Sequence, residues 1–148
     1  MLFIKIIFFL NILIAYFFLS NSTLLAENDF IKIRQFYNKD LSFSKNAQKL
    51  NGNEVKVFGF MAPPLKAEAN FFVLTKMPMS VCPFCESEAD WPDDILLVYT
   101  KTTITPLPFN VPIITIGTLD IGTKTDTETG FVSKIRMLES EYIEYESY

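Results

Sequence analysis

The chain has 148 residues, enough for one domain around a single core and too few for two. Its 13 basic and 17 acidic residues give a formal charge of −4, which offers no electrostatic footprint for nucleic acid. It contains no histidine, so Ser-His-Asp and Cys-His chemistry are excluded unless a partner supplies the imidazole, and the commonest metal ligand is missing as well.

Residues 1–26 read as a secretory signal. Lys5 supplies the positive n-region, Ile6 to Leu19 form an apolar h-region interrupted by Asn11, and Ala26 is a small residue at a cleavage position. Leu24 at −3 is larger than such sites prefer. The alternative is an uncleaved anchor, because Ile6 to Leu25 is about long enough to span a bilayer. Either way the domain is expected outside the cytosol: periplasmic if cleaved, held at the inner membrane if not. Loss of the leader takes Lys5 with it and moves the formal charge from −4 to −5.

Residues 27–44 are expected to be an N-terminal arm that packs on the domain. Phe30, Ile33 and Tyr37 have helical spacing, while Ile31 and Ile33 suit a short strand, and both readings stay open. The domain proper is expected over 45–148. Ser44 can cap a short helix, Lys45 to Leu50, stopped by Asn51-Gly52, with Leu41, Phe43, Ala47 and Leu50 facing inward. Glu54 to Met61 alternates Val55 and Val57 against Lys56, with Phe58 and Phe60 on the second face, and Gly59 marks a bend or a close approach. Pro63-Pro64 ends that strand, since neither residue donates to a ladder.

Phe71 to Lys76 is the second strand, 77–94 a long loop, and Ile95 to Thr100 the third strand. Thr102 to Pro112 holds three prolines and reads as irregular or edge structure. Ile113 to Ile121 is the fourth strand, with Ile114 and Ile116 on one face and Leu119 and Ile121 on the other. Gly117 and Gly122 fit curvature and termination. From Phe131 onward Ile135, Leu138, Tyr142 and Tyr145 have helical spacing, yet Val132, Ser133 and Ile135 also tolerate a strand. The whole predicts a mainly β protein, a small OB-like barrel of about five strands with a short helix before the first, the alternative being a two-sheet β sandwich.

The loop carries the two cysteines of the chain, in Cys82-Pro83-Phe84-Cys85. Three readings stand. The pair forms a structural disulfide, as exported paired cysteines usually do. Alternatively Cys82 and Cys85 are the redox pair of a thiol-disulfide oxidoreductase. The tetrad is the one seen in glutaredoxin-type sites, and Val111-Pro112 mimics the Val-Pro that flanks them. Against this, Trp91-Pro92 leaves little room for the helix such a site needs, and 85–112 leaves no room for a βαβ crossover. In the third reading Cys82 and Cys85 are half of a copper or zinc site, with Met77, Met79, Glu86, Glu88 and Asp90 as nearby ligands. Trp91 reads as a core plug or a recognition tip, and the tail with Glu139, Glu141, Glu144 and Glu146 as a solvated face.

The run Leu50-x-Gly52-x-x-Val55, then Gly59-Phe60-Met61-x-Pro63, the strand Phe71-Phe72-Val73-Leu74, the Cys82 and Cys85 loop, Gly117-x-Leu119 within Ile113 to Gly122, and the closing Ser133 to Glu139 belong to one pattern. It resembles a family of small exported bacterial proteins of unknown function with an OB-like barrel, often beside transporter or metal-handling genes. The likeness covers about residues 45–140. It implies strand near Lys134 to Leu138, and an exported binding or accessory role beside an envelope transporter or metal-handling system. An enzyme is disfavoured by the missing base, and membrane contact is expected only through residues 1–26 if they are retained.

Overall fold

The apolar runs of the sequence become one mixed sheet. A computed structural model describes residues 29–64, 69–80, 91–127, 130 and 132–146. In chain order these hold β1 (Ile31–Lys32), a 3-10 turn (Ile33–Phe36), α1 (Lys45–Leu50), β2 (Glu54–Met61), β3 (Phe71–Thr75), β4 (Ile95–Thr100), β5 (Pro112–Thr125) and β6 (Val132–Glu144). The strand order is β1-β2-β3-β4-β6-β5, and β5 also pairs with β2. Strands β2, β3, β4, β6 and β5 therefore make a partial ring. It is least continuous between β2 and β3, where Phe60 pairs with Thr75 and Met61 with Leu74.

The alternation in β2 sends Val55, Val57 and Met61 into the core and leaves Phe58 and Phe60 half-buried outside. Phe58 stacks on Phe30 and meets Phe60 and Tyr145 edge-on at the outer surface. Strands β3 and β4 are apolar on both faces because each face has a core to fill. Phe72, Leu74, Leu96 and Val98 face the main core. Val73, Ile95 and Leu97 form a second, smaller core with Ala62, flanked by Phe71, Trp91 and Tyr99. A strand buried on both sides loses the polar alternation of a half-buried one.

Two expectations about backbone hold in detail. Ser44 caps α1 by accepting from the Ala47 N–H at 3.1 Å. Gly59 is a close approach: a Cβ there would lie 2.7 Å from Leu74 Cγ and 2.8 Å from the Thr75 carbonyl oxygen.

Others need correction. Six strands are present rather than five, all in one sheet, so the two-sheet sandwich is not found among the described residues. The short helix stands before the second strand, because Ile31 and Lys32 pair in parallel with Val57 and Phe58. The arm is held mainly by Ile33 and Phe36, which are fully buried. Burial of side chains this large stabilises by roughly 2–3 kcal/mol each, more than a two-residue ladder supplies.

Leu41 does not face inward. It is 60% exposed at positive φ in a turn closed by Asn38 N–H donating to the Ser42 carbonyl. Gly122 does not terminate its strand: β5 runs to Thr125, and Gly122, at φ +117°, lies where the β5–β6 register shifts between Ile121 and Lys124. The C-terminal segment, open between helix and strand by its spacing, is the strand that the resemblance implies near Lys134 to Leu138. β6 is bonded on one side to β5 and, near Arg136 to Ser140, in parallel to β4 on the other. Two flanking strand edges satisfy its backbone groups, an outcome that local helical spacing cannot register. The acidic tail is solvated as read: Glu139, Glu141, Glu144 and Glu146 are all exposed.

Candidate functional site

The outer face of the β4–β6 seam carries the most concentrated polar chemistry of the described residues. Asp120, Gly122 and Lys124 come from the irregular end of β5, Ser133, Arg136 and Leu138 from β6, Tyr99 from the end of β4, and Asp126 from the turn after β5. In β5 and β6 the register places Asp120 opposite Arg136 and Lys124 opposite Ser133, while β4 brings Leu97 beside Arg136. Tyr99, Lys124, Asp126, Ser133, Arg136 and Leu138 line a cavity of about 200 Å³.

Arg136 is the floor of this arrangement. Its side chain is 4% exposed, yet its charge is fully answered by the fold. Nε donates to Asp120 Oδ2 at 2.7 Å. Both terminal nitrogens donate to the Gly122 carbonyl, at 2.9 and 3.0 Å. One of them also reaches the Ser133 carbonyl and hydroxyl, at 3.2 and 3.0 Å. A planar five-donor fork is the side chain that can hold an irregular strand turn this way. The arginine thus ties the bulge at Gly122 to β6, and the bulge in turn aims Lys124 and Asp126 at the cavity.

Above it, the Tyr99 hydroxyl donates to Asp126 Oδ2 at 2.8 Å. Burial, then this hydrogen bond and the charge of Asp126, push the Tyr99 phenol up to about 12, against a smaller opposite pull from Arg136. In the main core, Tyr37 is also pushed up to about 12, mainly by burial. The Trp91 indole N–H beside it pulls the other way, and Asp93 and Asp94 add to the rise. Both phenols therefore ionise later in the folded chain than at the ordinary 10.0. Their stabilisation is complete below about pH 10 and is lost as pH rises through about 12. Thermal melts are expected to fall across that window. An ultraviolet titration should show a late phase from Tyr37 and Tyr99, and its removal by Tyr37→Phe with Tyr99→Phe checks the assignment.

The residues singled out from the sequence fare differently. Cys82, Cys85, Glu86, Glu88 and Asp90 lie outside the described residues, as does the leader 1–26. Met77 is 63% exposed and Met79 half-buried, and no described group of three or more metal-ligating side chains gathers around them. Trp91 is the plug expected of it, half-buried against both cores. The cavity was missed. Its signals were present as a lone arginine inside an apolar strand pattern and an Asp two residues before a glycine, but neither is distinctive without the register.

No family model matches this sequence, and no curated protein matches it either. Among solved structures, it is similar to a DUF3299 family protein from Pseudomonas aeruginosa PAO1, with 19% identity and a TM-score of 0.50. The match covers 78% of this chain and 73% of that one. At this identity the likeness is one of fold: a β-rich protein similar to a member of a family of unknown function.

Proposed function

We propose that the protein is an exported binding module, an accessory to an envelope transporter or metal-handling system. Its five-strand ring is an OB-like arrangement, and the β4–β6 cavity is its ligand site. The order β2-β3-β4-β6-β5, with β4 and β6 parallel and β5 returning to β2, supports an OB-like reading, since it is a partly closed five-stranded ring. The cavity carries the binding reading. It joins a locked floor at Arg136 to accessible polar groups at Lys124 and Asp126. Preorganised polar groups around a concavity are what recognition needs. The histidine-free sequence favours binding over Ser-His-Asp or Cys-His catalysis.

The test is a ligand screen followed by amide-resolved NMR. Binding that shifts the Tyr99, Lys124 and Asp126 amides, and weakens in Asp126→Asn, supports the reading. A ligand that leaves those amides unmoved while shifting others places recognition elsewhere and ends it. Export is tested on protein recovered from cells: an N-terminus at Glu27 supports a cleaved, periplasmic form, and an intact Met1 supports the anchored one.

For Cys82 and Cys85 the same reading takes the disulfide as a local staple, with a partial copper or zinc site or a redox pair as the alternatives. A four-residue ring constrains little of the unfolded chain, so reduction should leave the melting temperature nearly unchanged. Trp91 is the single tryptophan and reports on both cores. A reduction potential below about −300 mV favours the staple. A higher potential favours the oxidoreductase, and stoichiometric metal on the reduced form favours the metal site.

A further inference from the structure

We propose that the outer face of β2, β5 and β6 is the interface of a symmetric dimer, its occupant a second copy of this chain; this goes beyond the β4–β6 cavity and does not depend on it. The first argument is an apolar layer that the fold leaves partly uncovered. Phe30, Phe58, Phe60, Ile114, Ile143 and Tyr145 belong to neither core. The ladder sets Phe58, Ile114 and Ile143 in one row across the three strands, and Phe60 and Pro112 in the next. Tyr145 ends that second row by donating its N–H to the Pro112 carbonyl at 2.8 Å. Residues directly opposite each other in a ladder share a face. The Phe58 ring touches Phe30, Phe60 and Tyr145, with centroids 5.2 to 5.7 Å apart, so the aromatic surface is ordered before any partner arrives. Ile143 stands beside it, 58% exposed. Rings held in place next to an aliphatic knob are the kind of group that anchors an interface.

The second argument is that this face matches itself. Strands β2 and β6 flank β5 on its two sides, each at a spacing of about 4.8 Å. A two-fold axis running close to β5 therefore lays β2 of one copy over β6 of the other. Within each row that exchange joins apolar to apolar and charge to countercharge. Phe58 meets Ile143 of the second copy, and Ile114 and Ile116 lie near the axis and meet their own copies. One row further along, Lys56 and Glu141 stand on either side of Ile116, so Lys56 of each copy meets Glu141 of the other. Both charges already have an in-chain partner at the surface, Lys56 with Asp29, and Glu141 with Lys101 at 2.9 Å. Across the axis the four alternate in sign, in the order Asp29, Lys56, Glu141, Lys101. Sheets packed face to face lie about 10 Å apart with strands crossing by about 30°. That brings the central rows together and lets the end that carries Glu54 diverge.

The third argument is what the rim disfavours. Asp29, Glu54, Glu141, Glu144 and Glu146 are exposed around the patch and outnumber its lysines, so an anionic lipid surface is repelled. A basic protein segment would meet Lys56, and Lys32 opposite Phe58, on the β1–β2 side. A second copy supplies both signs, each to its opposite. Each copy carries −4 overall, but at physiological ionic strength the screening length is about 8 Å, so the charges that face each other decide.

The test is sedimentation velocity on the protein recovered from cells, from about 1 μM to about 1 mM. The mass is expected to double with a dissociation constant on the order of 10 μM. Ile143→Asp should weaken the dimer about tenfold or more and, at an exposed position, keep the melting temperature. The decisive measurement mixes two variants. Lys56→Glu alone sets carboxylate against carboxylate at both contacts, and Glu141→Lys alone sets ammonium against ammonium. Each should weaken self-association about fivefold or more. An equimolar mixture has opposite signs at both contacts and should recover the dissociation constant of the unaltered chain. The in-chain pairs are the same in the mixture as in each variant alone, so the recovery reads the contact between copies. A chain that stays monomeric to about 1 mM overturns the proposal. So does a dimer that Ile143→Asp leaves intact, or a mixture that associates no better than either variant. Vesicles of phosphatidylethanolamine and phosphatidylglycerol, or a lysine-leucine peptide, that shift the Phe58, Ile143 and Tyr145 amides of a monomeric chain assign the face to that occupant instead.

Discussion

Arg136→Met is expected to cost the fold about 3 kcal/mol, near the largest loss available from one side chain here. The methionine keeps the aliphatic length and removes the fork, so the Gly122 carbonyl, the Ser133 hydroxyl and Asp120 lose their donors together. Removing one partner of a buried ion pair costs more than the pair itself contributes, because the other partner is left without an answer to its charge. Asp120 is 31% exposed and recovers part of its solvation from water, which holds the loss below the upper end for fully buried pairs. Adding Asp120→Ala should therefore recover about 1 kcal/mol, while the Gly122 and Ser133 groups stay unanswered. Urea unfolding of both variants decides it. A loss under about 1 kcal/mol for Arg136→Met would mean that the bulge at Gly122 is held by the β5–β6 ladder instead. Ligand binding should weaken further than stability does, since the bulge aims Lys124 and Asp126.

Gly59→Ala is expected to cost about 2–4 kcal/mol, a large effect for a single methyl group. Its Cβ would stand 2.7 Å from Leu74 Cγ and 2.8 Å from the Thr75 carbonyl oxygen, where a flexible side chain can give way and a backbone carbonyl cannot. The strain falls on the contact where β2 meets β3 through Phe60–Thr75 and Met61–Leu74. The double variant Gly59→Ala, Leu74→Ala separates the two causes. Had Leu74 been the whole obstacle, the second substitution would add less than the usual 2–5 kcal/mol for truncating a buried leucine. Overlap with the carbonyl predicts that most of that cost adds on top. Hydrogen exchange at the β2–β3 amides should rise in Gly59→Ala before any change between β5 and β6.

Much of the fold was legible because its signals are local. The Ser44 cap, the stop at Asn51-Gly52 and the apolar run Ile95 to Thr100 each depend on a few neighbouring residues and come out as read. Gly59 was readable as a close approach, since glycine inside a strand that otherwise alternates has few other uses. Resemblance to a β-rich family favoured strand near Lys134 to Leu138 where periodicity alone left helix open, and β6 covers that stretch.

The rest was non-local. Arg136 in the sequence is a charge interrupting Ile135 and Met137, and only the pairing with Asp120 and the bulge at Gly122 makes it a buried clamp. Leu41 read as a core residue together with Phe43, Ala47 and Leu50, but in the turn between Asn38 and Ser42 it takes positive φ and its side chain is turned outward. The amino-acid sequence by itself determined that this is a small, acidic, histidine-free, mainly β protein with one short capped helix. Composition and short-range periodicity are properties of the chain before it folds. Only the tertiary structure decided that β4 and β6 lie side by side and that Tyr99, Lys124, Asp126 and Arg136 share one cavity. Strand pairing joins residues dozens of positions apart, and no local pattern encodes which backbone edge will meet which.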